Sequence, residues 1–409
     1  NAWIIRRVRA PSAKLRSAFE AACVAEGAAG YVSRAGGGDR LVMGGDAKVD
    51  LAKLPKQVRV RLLAVQYDAL VARLERGDAL ELEFDVEHHF TPGPVPCFNV
   101  VADLRGSEFP DEYVIAGGHL DSWDGAEGAQ DNGTGVATTL EAARLIAASG
   151  VKPRRTIRFV LFGGEEQGLF GSEFHVREHA AELARTSVVL VHDGGGTVLR
   201  GISATEPMAA DFARVFAPLA RSDTRFPFEV RVLPGVEGLP NSGDSDHAPF
   251  IQAGVPGFFW TQSEEGYEHV HHTQFDTYET VDADELRQSA RVVAIAALGF
   301  ADLDHLVDRT EMEPLPRRRM GVRLDGTKLA SLTSDGRAAE AGLLAGDVVL
   351  AVDGVAVASQ TQVGDELQRG GPLKVLRVQR GADVQEVTLD FTDAPGEAER
   401  AARARRKAE

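Results

Sequence analysis

The chain has 409 residues, and its 45 Lys and Arg against 61 Asp and Glu give a formal charge of −16, which speaks against nucleic acid or an anionic membrane surface as a partner. With 44% apolar and 26% charged residues the composition is that of a globular protein with room for two or three domains. Two cysteines, Cys23 and Cys97, allow at most one bridge and read as small buried residues, and the longest apolar run, about residues 292–301, is too short to span a bilayer, so a soluble protein is expected.

The chain opens on Asn1 with no signal-peptide pattern, which reads as a processed or trimmed chain. Residues 1–95 suggest a small mixed α/β unit. Basic residues cluster at Arg6, Arg7, Arg9, Lys14 and Arg16, and Gly36 to Gly38 read as a loop. Alternation predicts strands over 58–63 and 79–86, with a helix over 67–74 between them. Pro92, Pro94 and Pro96 then stiffen the connection. From 96 to 306 strands alternate with helices: strands over 114–116, 156–162 and 188–191, a helix over 136–148, and a second helix through Phe300 opened by a capping box of Asp282 and Glu285. That order predicts a mixed α/β fold, a mainly parallel sheet with helices on both faces. Residues 307–318, with Pro314 and Pro316, read as a linker. Residues 319–392 are rich in short strands and Gly turns, and 393–409 form a charged tail, either a solvated helix or a disordered end.

The chemistry lies at the ends of the predicted strands. Past 114–116 comes Gly117-Gly118-His119-Leu120-Asp121, and Asp131-Asn132-Gly133 stands directly before the helix. Glu165-Glu166 follow the strand ending at Phe162, His192-Asp193 follow the one ending at Val191, and His271-His272-Thr273 lie far downstream before Asp276. Open α/β sheets bind ligands outside the carboxyl ends of their strands, so these groups should converge on one crevice. Imidazole and carboxylate donors without thiolate suit Zn²⁺, and two His with three carboxylates exceed one tetrahedral ion that keeps an open position. Two ions sharing a bridging carboxylate would use the whole set. Taken singly, His-x-Asp or a Glu pair is an ordinary surface feature; their joint placement on successive strand ends carries the reading. Three adjacent residues such as Ser245-Asp246-His247 cannot form a nucleophilic triad, and His192 reads as structural.

These segments resemble the di-zinc exopeptidase family of bacterial leucyl aminopeptidase and plasma glutamate carboxypeptidase. The resemblance rests on Gly118 to Asp124, Asp131 to Gly135, Glu165 to Gly168, Ser245 to His247 and His271 to Thr277, with Trp123 and Ile251 to Gly257 pointing to the carboxypeptidase branch. It implies Asp131 as a bridging ligand, His119 and Asp193 on one zinc, Glu166 and His272 on the other, and Glu165 as general base. Asp121 would orient His119, Asp276 would orient His272, and His247 would border the substrate pocket. A cis peptide between Asp131 and Asn132 is also implied. The first 95 residues loosely resemble part of a protease-associated domain. Residues 319–392 resemble a PDZ domain, on Arg319-Met320-Gly321-Val322 and the run from Ala341 to Leu350. A peptide C-terminus would then be held around Met320, Gly321 and Val322.

The expected activity is removal of terminal residues from peptides with two Zn²⁺ per chain, an aminopeptidase as the first reading and a carboxypeptidase or dipeptidase as the alternative. A peptide-binding PDZ adaptor on a silent hydrolase scaffold is the reading from another class. A periplasmic or secreted location is expected.

Overall fold

A computed structural model describes residues 2–5, 13–36, 39–41, 43–44, 50–54, 58–87, 89–219, 225–233, 239, 245–263, 266–310, 312, 318–333 and 336–394. The early arginines Arg6, Arg7 and Arg9, the glycines Gly37 and Gly38, the prolines of the 307–318 stretch and the tail beyond Ala394 lie outside them. The chain divides into two compact units, 1–312 and 313–409.

The first unit opens with three parallel strands, β1 (Ala2–Ile5), β2 (Ala28–Arg34) and β3 (Val58–Leu62), and two helices, α1 (Ala13–Ala25) and α2 (Ala64–Glu75). The strand expected over 79–86 is not formed: among the described residues the segment belongs to no strand. Alternation specifies a strand's two faces, whereas the strand itself requires a hydrogen-bonded neighbour.

Seven strands then build the main sheet: β4 (Val100–Leu104), β5 (Phe109–His119), β6 (Arg155–Phe162), β7 (Thr186–Val191), β8 (Gly201–Thr205), β9 (Glu229–Leu233) and β10 (Gly257–Thr261). Their order is β4-β6-β5-β7-β10-β8-β9. The centre, β6-β5-β7-β10, is parallel, with β4 antiparallel at one edge and β8 antiparallel to β10. The helices are α3 (Thr134–Ser149), α4 (Phe170–Glu178), α5 (Ala209–Phe216), α6 (Ala248–Gln252), α7 (Tyr267–Val270) and α8 (Ala283–Ala301). Successive strand residues face opposite sides, and here both sides are covered. Val114, Ala116, Val188 and Leu190 pack with Ala142 and Ile146 of α3 and with Val292, Val293, Ala296 and Phe300 of α8. Their neighbours Ile115, Val189 and Val191 pack on the other face with Phe250 of α6 and Val176 of α4. Each such aliphatic side chain contributes about 1.5–3 kcal/mol on full burial, so the strand ends rest on a stiff base.

Two local expectations change. Asp282 caps α8 by accepting from the N–H groups of Asp284 and Glu285, but the Glu285 carboxylate reaches outward to the Val198 N–H at 3.0 Å instead of back to the cap. Arg309 donates to the carbonyls of Leu183, Thr186 and Gly254, and Met312 is buried, so these residues belong to the first unit and not to a linker. Cys23 and Cys97 are both free thiols; Cys97 is exposed and Cys23 partly so, which corrects their reading as buried.

The second unit is a six-stranded antiparallel sheet of β11 (Val322–Asp325), β12 (Lys328–Leu332), β13 (Val348–Val352), β14 (Val355–Ala356), β15 (Leu373–Arg380) and β16 (Asp383–Asp390), with α9 (Arg337–Glu340) and α10 (Gln360–Gln368). Between Arg319–Val322 and α10 lies a cleft of about 510 Å³, lined by Met320, Val322 and Leu324 on one side and Val363 and Leu367 on the other. Among the described residues, no helix is long and apolar enough to cross a membrane.

Candidate metal centre

Parallel pairing brings the carboxyl ends of β5, β6 and β7 level: His119 lies opposite Phe162, and Gly117 opposite Val191. The residues that follow each strand therefore enter one crevice. Close approach is secured by Gly118, where a Cβ would stand 2.7 Å from the His192 carbonyl oxygen. Gly135, at the start of α3, faces the same carbonyl and Asn132. Any side chain at either position would push α3 off the sheet and carry Asp131 away with it.

His119 Nε2 lies 3.1 Å from Asp131 Oδ1 and 2.9 Å from Asp193 Oδ1. His272 Nε2 lies 3.2 Å from Asp131 Oδ2 and 3.0 Å from Glu166 Oε2. Asp131 thus stands between two His–carboxylate pairs. The peptide between Asp131 and Asn132 is cis. His271, the neighbour of His272, is farther from Asp131 at 3.7 Å and stacks on Tyr267. Glu165 falls with His119 and Asp193 in a group whose donor atoms could share an ion.

The surrounding contacts revise two expected roles. His119 Nδ1 is 2.9 Å from the backbone carbonyl of Asp121, while the Asp121 carboxylate stands off at 3.8 Å. That carboxylate instead accepts from the N–H groups of Glu165 and Glu166 at 3.1 and 3.2 Å, fixing the turn that carries both. Asp276 does not reach His272. It accepts from the backbone N–H groups of Gln130 and Asp131, and so orients Asp131. The spacing in sequence suggested that each Asp served its nearest His, but short side chains bind whichever backbone N–H the fold presents.

His247, expected at the substrate pocket, is buried with its ring packed on Phe259 at 5.7 Å. His192 is buried as expected; its Nε2 is 3.2 Å from the Gly195 carbonyl and its own carbonyl accepts from Asn132. Sequence reasoning assigned no role to Met43, to Trp123 or to Asp246. Met43 and Trp123 line a small cavity with Asp131, Glu166 and His272. Asp246 is fully buried, which pushes its carboxyl up to about 7. Only its place in the Ser-Asp-His motif could have flagged it.

The electrostatics are those of a cation site. Burial acts against a charged His119, yet Asp193 and Asp131 outweigh it and raise the imidazole well above its usual range. His272 is pushed up to about 10 by its contacts with Asp131 and Glu166. Burial likewise opposes ionised Asp131, and His119 with His272 overcomes it, holding the carboxyl low. Glu165 goes the other way: burial first, then the charges of Asp193, Asp246 and Glu166, push it up to about 9. Glu166 Oε1 is buried without a hydrogen bond, and Asp131 Oδ2 is buried with only the 3.2 Å approach of His272 Nε2 beside it. Buried carboxylate oxygens left in this way are costly unless a cation meets them. Imidazole and carboxylate donors around such oxygens fit Zn²⁺.

The same architecture is shared with known proteins. Residues 99–297 match peptidase family M28 and residues 330–380 match a PDZ domain, so the chain carries an M28 peptidase domain followed by a PDZ domain. A mouse (Mus musculus) carboxypeptidase Q is 34% identical over 249 residues, covering 61% of this chain and 51% of that protein. A leupeptin-inactivating enzyme 1 from Streptomyces exfoliatus is 36% identical over 171 residues, covering 41% and 36%. The structure of a peptidase M28 precursor from Shewanella amazonensis SB2B superposes with a TM-score of 0.55 at 28% identity, covering 72% of this chain and 63% of that one. The chain spans about half the length of the carboxypeptidase Q relatives it matches.

Proposed function

We propose that the chain is a metallo-exopeptidase that hydrolyses the terminal bond of peptides, with two Zn²⁺ per chain. Asp131 would bridge the ions, with His119 and Asp193 completing one set and Glu166 and His272 the other. The observation that carries this reading is the pair of His–carboxylate contacts meeting on Asp131, beside a buried Glu166 Oε1 that has no hydrogen bond. Zinc in such a site supplies a Lewis acid for the scissile carbonyl and lowers the pKa of an attacking water toward neutrality. Burial and the neighbouring carboxylates raise Glu165, and the charge of bound zinc would lower it again, so that its carboxylate would take the proton from that water and return it to the leaving amine. Asp121 keeps the Glu165–Glu166 turn in register and Asp276 keeps Asp131 in place.

Aminopeptidase is the first reading. A free α-ammonium seeks carboxylate and a free α-carboxylate seeks Arg or Lys. The described residues lining the small cavity include no Lys or Arg to receive an α-carboxylate. Carboxypeptidase or dipeptidase action is the second reading, supported by the likeness to carboxypeptidase Q. An unblocked peptide, its N-acetylated form and its C-amidated form separate the two. An aminopeptidase cleaves the first and third, and cleavage of the acetylated peptide from its C-terminus would overturn that choice. The PDZ unit would hold a peptide C-terminus in the cleft beside Met320, Gly321 and Val322. A periplasmic or secreted location belongs to the same reading, and cell fractionation tests it.

A further inference from the structure

The loop bearing His272 is tied from outside the main sheet, by residues of the N-terminal part of the same compact unit. The Met43 N–H donates to the His272 carbonyl at 2.7 Å. The Leu41 N–H donates to Gln274 Oε1 at 2.9 Å, and Gln274 Nε2 donates back to the Asp39 carbonyl at 2.8 Å. The Arg40 guanidinium donates to the Glu268 carbonyl. These bonds bracket His272 on both sides, and His272 itself sits at φ 55°, a backbone conformation that non-glycine residues seldom hold unaided. The Met43 side chain has its own seat. A Cβ on Gly125 would stand 2.9 Å from the Met43 sulfur, so the glycine leaves room for it. From there Met43 lines the cavity with Trp123, whose ring meets His272 edge-on at 6.1 Å.

We propose that Asp39, Arg40, Leu41 and Met43 form a working strap of the metal centre, in which Met43 positions His272 through its backbone N–H. The inference rests on the exopeptidase reading and adds to it a role for the N-terminal part. Its logic is mechanical. A residue on a loop can present a ligand accurately only if its backbone is locked by neighbours, and here the lock comes from a segment more than 220 positions earlier in sequence.

Zinc titration calorimetry on the metal-stripped full chain tests the lock. The wild type should take up two equivalents. Met43→Pro, which lacks the N–H, should bind one of the two at least about tenfold more weakly and leave the other unchanged. Gln274→Leu, which removes both side-chain bonds to the strap, should act in the same direction by a smaller factor, and Met43→Leu should restore both equivalents. Wild-type zinc affinities in both Met43→Pro and Gln274→Leu, in chains with native circular dichroism and melting, would overturn the lock. Fewer than two equivalents in the wild type would break the two-metal reading itself, and the lock then fails only if Met43→Pro leaves the remaining affinity unaltered.

Discussion

The two halves of the centre are built by different means. His119 ends one strand and Asp193 follows the adjacent parallel one, and His119 is 1% exposed on a fully buried base. His272 stands on a loop, with its side chain 30% exposed and its backbone at positive φ. Holding a non-glycine residue in that conformation costs roughly 1–2 kcal/mol, which the bonds to Asp39, Leu41 and Met43 offset. A strand end inherits its rigidity from the sheet; a loop must be given it by contacts made one at a time. The strand half should therefore tolerate damage at a distance, and the loop half should not.

The largest effect is expected between the halves, at Glu165. Glu165→Gln keeps the shape but cannot accept a proton, so turnover should fall by about 10²–10⁴-fold while both zinc equivalents stay bound. Retention of most activity in the metal-loaded variant would remove Glu165 from its proposed role.

Asp276→Asn probes the bridge shared by the halves. The carboxylate accepts from two backbone N–H groups, and an amide has a single acceptor oxygen. Zinc affinity should drop by about 10–100-fold, and equilibrium dialysis would show whether both equivalents weaken, as a displaced Asp131 requires.

The scaffold under the strand half carries a pH signature. His175 on α4 is held down to about 3 by burial, with His179 and Arg158 adding to the effect and Asp103 opposing it. The unfolded side chain takes its proton near 6.5. Between those values the unfolded chain binds more protons, so stability falls as pH drops from about 6.5 toward 3, by at most about 1.4 kcal/mol per unit from this group. His175→Phe should flatten the dependence of melting temperature on pH between 6 and 4 relative to the wild type. An identical slope would mean that His175 does not stay neutral in the folded chain.

The smallest effect concerns the second unit. Truncation after Met312 should leave kcat on a single-residue chromogenic substrate within about tenfold, or about 1.4 kcal/mol of barrier. KM for long peptides should rise, because a cleft that holds a peptide end raises its effective concentration. Loss of the small-substrate reaction in a folded, zinc-loaded truncation would mean that the second unit completes the site.

What the sequence determined by itself was the alternation of strands and helices from 96 onward and the polar residues at the strand ends. Both are local: Val-rich runs such as 188–191 have no polar face to turn to solvent, and the strand ends and the turns after them carry His119, Glu165, Glu166 and Asp193. Tertiary structure decided the partners. Asp121 and Asp276 chose backbone N–H groups over the nearest His, and residues 79–86 belong to no strand among the described residues. His247 turned inward against Phe259, and Met43 met His272 from the far end of the unit. A periodicity records which face a residue prefers, but a hydrogen bond or a pairing needs a second group, and only the folded chain decides which second group arrives.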